Sequence, residues 1–248
     1  MGASSKGKLN IVMPMAGLGS RFRDAGFAAP KPLIDVRGRP MYAWAAESLP
    51  LERSTRLIFI LLASQPECPA LRGDILRRYA RLRPVVLTVP ELTAGQAITV
   101  LAAKELIDGD EPLLIHNADT AFEADPGWVD RAANEGLGGA LLVFPSQEKR
   151  WSYSRADQQG RVVEVREKQV ISPWATTGTY WFGRGRDFVR VAEARFKSGE
   201  RETSEFYVGP LYNDLIAQGL LVKNFPIGKL FCFGTPEDLA ATLRQLET

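Results

Sequence analysis

Two glycines and two cations near the start of this 248-residue sequence are the first residues whose types and spacing suggest chemistry. An apolar run at 9–13 opens into Pro14, Met15, Ala16, Gly17, Leu18, Gly19, Ser20 and Arg21, and Lys31 follows between Pro30 and Pro32. Glycines lack side chains, so their backbone N–H groups can converge on an anion. Arg21 adds a guanidinium, and the flanking prolines limit the backbone freedom of Lys31. Together these groups suit a polyphosphate. Neither common phosphate fingerprint is met: Phe22 stands where G-x-G-x-x-G needs its third glycine, and no Gly-Lys-Ser/Thr follows. The plainer alternative is a βα turn with Arg21 and Lys31 solvated beside it.

Asp119 lies just beyond the apolar run at 113–115, which puts a carboxylate at the carboxyl end of a predicted parallel strand, where open α/β sheets bind ligands. A hard cation such as Mg2+ suits that group, and a turn cap is its plainer role. Glu167 and Lys168 close a stretch in which Val163 and Val165 are expected on one face, so Glu167 shares their side and Lys168 faces the other way. Gly95 and Gln96 open a predicted helix, where a side-chain amide can read a pyrimidine edge with its donor and acceptor. Glu205 and Asn213 are further polar candidates, set among Phe206, Tyr207 and Tyr212, which also suit core or lid packing. His116, the only histidine, reads as a satisfied strand-end residue. With it, Cys68 and Cys232 make neither a disulfide framework nor a zinc site of the usual spacing.

The elements that must position these residues alternate. Runs at 9–13, 57–62, 85–89, 113–116 and 139–144 read as strands, and helices are expected at 41–48, 68–82, 97–106 and 127–134. That order implies an α/β fold with a doubly wound, mostly parallel Rossmann-like sheet. From Trp151 the texture changes: 163–165 alternates with charge and 177–182 is aromatic and β-branched, as in a half-exposed antiparallel accessory sheet or lid. Helices at 188–196 and 210–218 and a strand at 220–225 follow. A closing helix at 236–246 begins with Thr235 as N-cap and Pro236 as N1.

Lys+Arg 31 against Asp+Glu 29 leaves a formal charge of +2, too little to attract nucleic acid or an acidic membrane surface over the whole molecule. The first eight residues are small and basic, but the apolar run behind them is too short for a signal sequence or a membrane span. A reducing cytoplasm is the predicted location.

In its motifs the sequence resembles the sugar-phosphate nucleotidyltransferases, also called nucleoside-diphosphate-sugar pyrophosphorylases. The glycine loop with Arg21 and the Pro30-Lys31-Pro32-Leu33 segment carries the likeness. It continues in order through 93–97, 117–119, Glu167-Lys168, 178–180 and 234–239, nearly the whole chain. Segments 151–153 and 205–207, through Asn213, are more like the short branch found in capsular-polysaccharide pathways.

With no internal repeat or clean boundary, one domain over 1–248 is expected, with 1–8 disordered, and the resemblance divides it into a nucleotide-binding half at about 9–145 and an acceptor-binding half at about 146–248. It implies a nucleoside triphosphate, CTP ahead of UTP or dTTP, held by Met15, Ala16, Gly17, Gly19, Arg21, Gly95, Gln96 and Asn117. A small phosphomonoester acceptor such as a sugar 1-phosphate is implied at Lys31, Glu167, Lys168, Gly178, Glu205 and Asn213. Arg21, Lys31, Asp119 and Lys168 become the catalytic set, with Asp119 holding Mg2+ against the α-phosphate. Assembly as a homo-oligomer is left open. One departure stands out: many members carry a second metal-ligating aspartate two residues before the glycine matching Gly234, and here Cys232 occupies that place. Glu205 and Asp214 are the substitutes considered. Two rival readings are a glycosyltransferase, whose D-x-D motif would meet Asn117-Ala118-Asp119 here, and a catalytically silent nucleotide-binding regulator.

Overall fold

A computed structural model of the chain describes residues 8–201 and 204–247. Apart from Lys8, the disorder expected of residues 1–8 concerns positions outside those described. The strands are β1 (Leu9–Met15), β2 (Asp35–Val36), β3 (Arg39–Pro40), β4 (Ser54–Leu62), β5 (Val85–Val89), β6 (Leu113–His116), β7 (Thr120–Glu123), β8 (Gly139–Pro145), β9 (Ser152–Ala156), β10 (Val162–Glu167), β11 (Trp174–Phe182), β12 (Val222–Pro226) and β13 (Lys229–Cys232). The α-helices are α1 (Ser20–Asp24), α2 (Met41–Glu47), α3 (Cys68–Arg78), α4 (Gln96–Leu101), α5 (Lys104–Ile107), α6 (Trp128–Asn134), α7 (Gly185–Ser198), α8 (Tyr212–Ala217) and α9 (Pro236–Gln245).

The central strands are apolar on both faces because helices cover both faces of the sheet. In β4, Leu57, Phe59 and Leu61 pack into one core, while Ile58, Ile60 and Leu62 pack into the other. Strands β6, β1, β4 and β5 run parallel in that order. Beyond β6 the direction reverses, since β11 pairs antiparallel with both β6 and β8, and β12 then joins β8 in parallel. The fold is therefore α/β with a parallel β6-β1-β4-β5 half, as the alternation implies, joined through β11 to an antiparallel part that it does not foretell.

The 152–167 hairpin does not form a sheet of its own. The amino-terminal part of β11 pairs with β9 at Ala175 and Tyr153, while its carboxyl-terminal part, 179–182, pairs with β6. The hairpin thus rises from the main sheet past the end of β6 and walls off the space there. The small separate antiparallel sheets lie elsewhere, as β7 with β13 and β2 with β3.

Three local expectations change for physical reasons. The predicted helix 68–82 ends at Arg78 and passes through a 3-10 turn at 80–82, so that Tyr79 can turn inward and stack on Phe59 at 5.6 Å. The predicted helix 97–106 divides into α4 and α5 at Ala102 and Ala103. In β10 a bulge between Val162 and Glu164 shifts the register, which leaves Val163 39% exposed while Val165 and Glu167 are buried. The closing helix starts as expected: the Thr235 hydroxyl accepts from Asp238 N, and Asp238 accepts from Thr235 N in a capping box. Among the described residues no helix is long and apolar enough to cross a membrane.

Candidate active site

Loops leaving the carboxyl ends of β1, β5 and β6, closed on one side by the β9–β10 hairpin, enclose an open cavity of about 780 Å³. This is the crevice where parallel α/β sheets receive ligands. Met15, Ala16, Gly17, Gly19 and Arg21 line it from β1, and Gly95 and Gln96 from the start of α4. Asn117 and Asp119 line it from the end of β6, with Gly178, Glu167, Lys168 and Glu205 on the opposite wall. Lys31 lines it as well. Of the residues expected in the site, Asn213 is the one placed outside. Its Oδ1 accepts from Val165 N at 2.9 Å and its Nδ2 donates to Val165 O at 2.8 Å, so both ends of the amide hold the bulged strand β10.

On the β1 side of the cavity the loop turns at Gly19, whose φ of 61° is readily available to glycine. A Cβ there would stand 3.0 Å from the Cβ of Lys31, so the glycine also lets the Pro-Lys-Pro segment pack against the loop. Gln65 anchors the loop by donating to Gly17 O at 3.0 Å. Arg21 is exposed and has no ion-pair partner among the described residues. Across the cavity, Gln96 Nε2 donates to Asn117 Oδ1. Asn117 N in turn donates to Gly178 O at 3.1 Å. Gly178 has φ 78°, and a side chain there would collide with the Asn117 amide.

At the floor, Lys31 Nζ donates to Asp119 Oδ2 at 2.5 Å and to Gly234 O at 3.2 Å. Burial would raise the Asp119 carboxyl, but the charge and hydrogen bond of Lys31 outweigh it and hold the group below the usual range. Cys232 lies beside this pair, paired with Thr120 in the β7–β13 ladder, and Phe233 N donates to Asp119 O at 2.8 Å. Burial pushes the Cys232 thiol up to about 12, which keeps it protonated and unsuited to a hard cation. Of the proposed substitutes for the missing aspartate, Glu205 lines the cavity but Asp214 does not; it accepts from Arg195 Nε at 2.8 Å. A further carboxylate bordering Cys232 in this corner is Asp238, which is not among the ligands expected from the sequence. Arg150, which no sequence motif marks, donates to its two oxygens at 2.8 and 2.6 Å. Mg2+ commonly takes one or two protein carboxylates and completes its shell with water and substrate phosphate, so Asp119 beside a phosphate-sized space fits such an ion. No group of three or more metal-ligating side chains occurs among the described residues.

On the hairpin wall, Lys168 has the left-handed φ of 57°, uncommon outside glycine and frequent at functional sites. Its N–H donates to Trp151 O at 3.0 Å and its Nζ to Tyr207 OH at 3.0 Å, a bond that raises the Lys168 pKa. Tyr207 is thus a site residue, whereas Phe206 and Tyr212 pack in the core. Glu167 is 4% exposed and accepts from the Ser152 hydroxyl.

His116 is satisfied, as expected: Nδ1 lies 2.8 Å from Thr179 Oγ1 and Nε2 2.7 Å from Thr120 O. Burial lowers its pKa to about 4 from 6.5. Above pH 6.5 it is neutral in the folded and unfolded chain alike. Below that, the unfolded chain takes up a proton that the folded chain refuses until about pH 4, so stability falls across this window by up to ~3 kcal/mol. Urea unfolding at pH 7 and pH 4.5 checks this, and His116→Gln should flatten the slope.

No protein-family model and no curated protein matches the sequence. Solved structures do. The chain is similar to the nucleoside-diphosphate-sugar pyrophosphorylase from Vibrio cholerae RC9, at 28% identity and a TM-score of 0.81 over 95% of this chain and 100% of that one. It shares its fold with the inositol-1-phosphate CTP transferase from T. maritima, at 14% identity and a TM-score of 0.74 over 95% and 96% of the two chains. The same holds for a UDP-glucose pyrophosphorylase complexed with UDP-glucose, at 14% identity and a TM-score of 0.76 over 97% and 98%. A likeness that covers 95% of the chain, at 28% identity in the first of these, agrees with a cavity assembled from the same segments that carry the sequence motifs, and in fold and motifs the chain is similar to the nucleoside-diphosphate-sugar pyrophosphorylases.

Proposed function

We propose that this nucleotidyltransferase joins CTP to a small phosphomonoester, giving a CDP-linked product and pyrophosphate for capsule or cell-surface polysaccharide synthesis. The observation that carries the reading is one cavity with cations on two sides of Asp119, Arg21 at the glycine loop and Lys168 on the hairpin wall. An acceptor phosphate oxygen attacks the α-phosphorus, forming a new P–O bond. The bond from that phosphorus to the bridging oxygen breaks, and pyrophosphate leaves with the electron pair. The acceptor phosphate is already ionised at neutral pH, so the chain needs no general base; it aligns the two phosphates and neutralises their charge. Arg21 and the loop amides face the leaving phosphates, while Lys168 faces the acceptor, held by Tyr207. Lys31 spans the two sides. A divalent cation at Asp119 supplies further charge neutralisation at the α-phosphate when bound.

The base preference rests on Gln96. Its Nε2 is engaged by Asn117, and its Oε1 has no partner among the described residues, so an acceptor atom is available to the amino group of cytosine. The inositol-1-phosphate CTP transferase shares this fold, as does an enzyme acting on UDP-glucose. Uracil would leave the acceptor atom unpaired, which costs about 1–3 kcal/mol or roughly 5- to 150-fold in kcat/KM. Pyrophosphate release with CTP, UTP, dTTP, ATP and GTP against a panel of phosphomonoesters tests the proposal. CTP is expected to lead, and a purine preference would refute the base assignment.

A further inference from the structure

We infer that the pair formed by Arg150 and Asp238 is a positioning device for Lys168, tying the hairpin wall of the cavity to the start of α9. Its consequence for catalysis rests on the proposed function, in which Lys168 meets the acceptor phosphate; the mechanical link stands on its own. Lys168 lies one residue past the end of β10, with the left-handed φ of 57°. A lysine keeps that conformation only where its surroundings hold it there. Two bonds do so. Its N–H donates to Trp151 O at 3.0 Å, which extends the β9–β10 ladder one step beyond the paired Ser152 and Glu167, and its Nζ donates to Tyr207 OH at 3.0 Å.

The Trp151 carbonyl directs Lys168 only as firmly as Trp151 is itself held. Among the described residues the buried Trp151 Nε1 has no hydrogen-bond partner, so contacts of the ring fix this side chain. Phe144 meets the ring edge to face at 5.2 Å, and the Arg150 guanidinium lies over it at 4.5 Å. Arg150 is fixed in turn from a distant part of the chain. Its Nη1 donates to both oxygens of Asp238, at 2.8 and 2.6 Å, and its Nε to Glu148 at 2.7 Å. Asp238 also accepts from Thr235 N at 3.0 Å within the capping box, and its side chain is only 12% exposed. The charged contact therefore ends on the first turn of a ten-residue helix, not on a freely moving side chain. Arg150, Trp151, Lys168 and Asp238 all line the same cavity. The link runs from α9 through Asp238, Arg150 and Trp151 to Lys168, and uses neither Asp119 nor Lys31.

Arg150→Met keeps the length of the stem against Trp151 and removes the guanidinium, while Asp238→Asn keeps an oxygen for Thr235 N and removes the charge. Both variants and their double combination are read in two ways. Hydrogen exchange of the free protein, followed by mass spectrometry over 166–170, is expected to show the Lys168 amide at least about fivefold faster in each single variant, with the amides of α4 unchanged. Pyrophosphate release with CTP and a phosphomonoester from the panel is expected to lose about 10- to 100-fold in kcat/KM for the acceptor, with the KM for CTP within about twofold of wild type. The double variant should match the worse single variant in both readings, because one contact can be lost only once. Wild-type exchange at Lys168 in both folded single variants overturns the link, whatever the substrates are. Additive losses in the double variant overturn it as well, since the two residues would then act separately. A raised KM for CTP with unchanged acceptor kinetics also overturns it, because Arg150 would then serve the nucleotide directly. If no phosphomonoester is turned over, the proposed function fails, and the exchange comparison still decides whether Arg150 and Asp238 hold Lys168 in place.

Discussion

Asp119→Asn should reduce pyrophosphate release by about a thousandfold, corresponding to roughly 4 kcal/mol of lost transition-state stabilisation. The substitution keeps the size of the side chain and leaves the backbone bond from Phe233 N to Asp119 O in place, so the β7–β13 ladder is retained. What disappears is the charge. Lys31 loses its ion-pair partner in a position only 20% exposed, and the divalent cation proposed at Asp119 would lose its protein anchor. Excess EDTA should bring wild type to the same level. Pyrophosphate release and thermal unfolding, measured on the same preparation, separate loss of chemistry from loss of fold. Full turnover by the variant, or by wild type in EDTA, would remove Asp119 from the mechanism.

Arg21→Ala and Lys168→Ala should each cost about a hundredfold, or roughly 3 kcal/mol, but in different kinetic parameters. Arg21 stands exposed on the first turn after the glycine loop, so its removal affects few folded-state contacts and should appear in kcat and in the KM for the triphosphate. Lys168 is held over the Tyr207 ring at 4.9 Å and bonded to its hydroxyl, so its removal should raise the KM for the phosphomonoester as well. Tyr207→Phe is an intermediate case: the lysine keeps its charge and loses the bond that directs it. If both alanine variants retained wild-type kinetics while folded, charge neutralisation from two sides would not be the basis of catalysis.

The sequence carried much of the frame because short-range physics controls it. Strands β5 and β6 occupy the predicted bounds: β6 is a short run buried along its whole length, and β5, partly buried at the edge of the sheet, is a β-branched run that stops at Pro90. The start of α9 was legible because Thr235 as N-cap and Pro236 at N1 are a local signal, to which the structure adds Asp238 at N3 to complete a capping box. The placement of Asp119 at a cavity followed from its position after β6, and the placement of the loop beside it followed from two glycines and an arginine directly after β1.

What only the tertiary structure decided is which distant groups neutralise one another. Lys31 meets Asp119 across 88 residues and Arg150 meets Asp238 across another 88, because two loops and two strand ends converge on the corner below β6. No periodicity records that convergence. The antiparallel run of β11 was hidden for a related reason: a strand buried on both sides reads the same in either direction, and its neighbours are set by the packing of the whole sheet. The bulge in β10 turned Val163 outward, and the Asn213 amide bonds the backbone of that strand at Val165 instead of lining the cavity. The types and local spacing of residues determine elements and the chemistry available to them. The pairing of their charges depends on long-range closure, whose energy is shared among many contacts and leaves no mark at any one position.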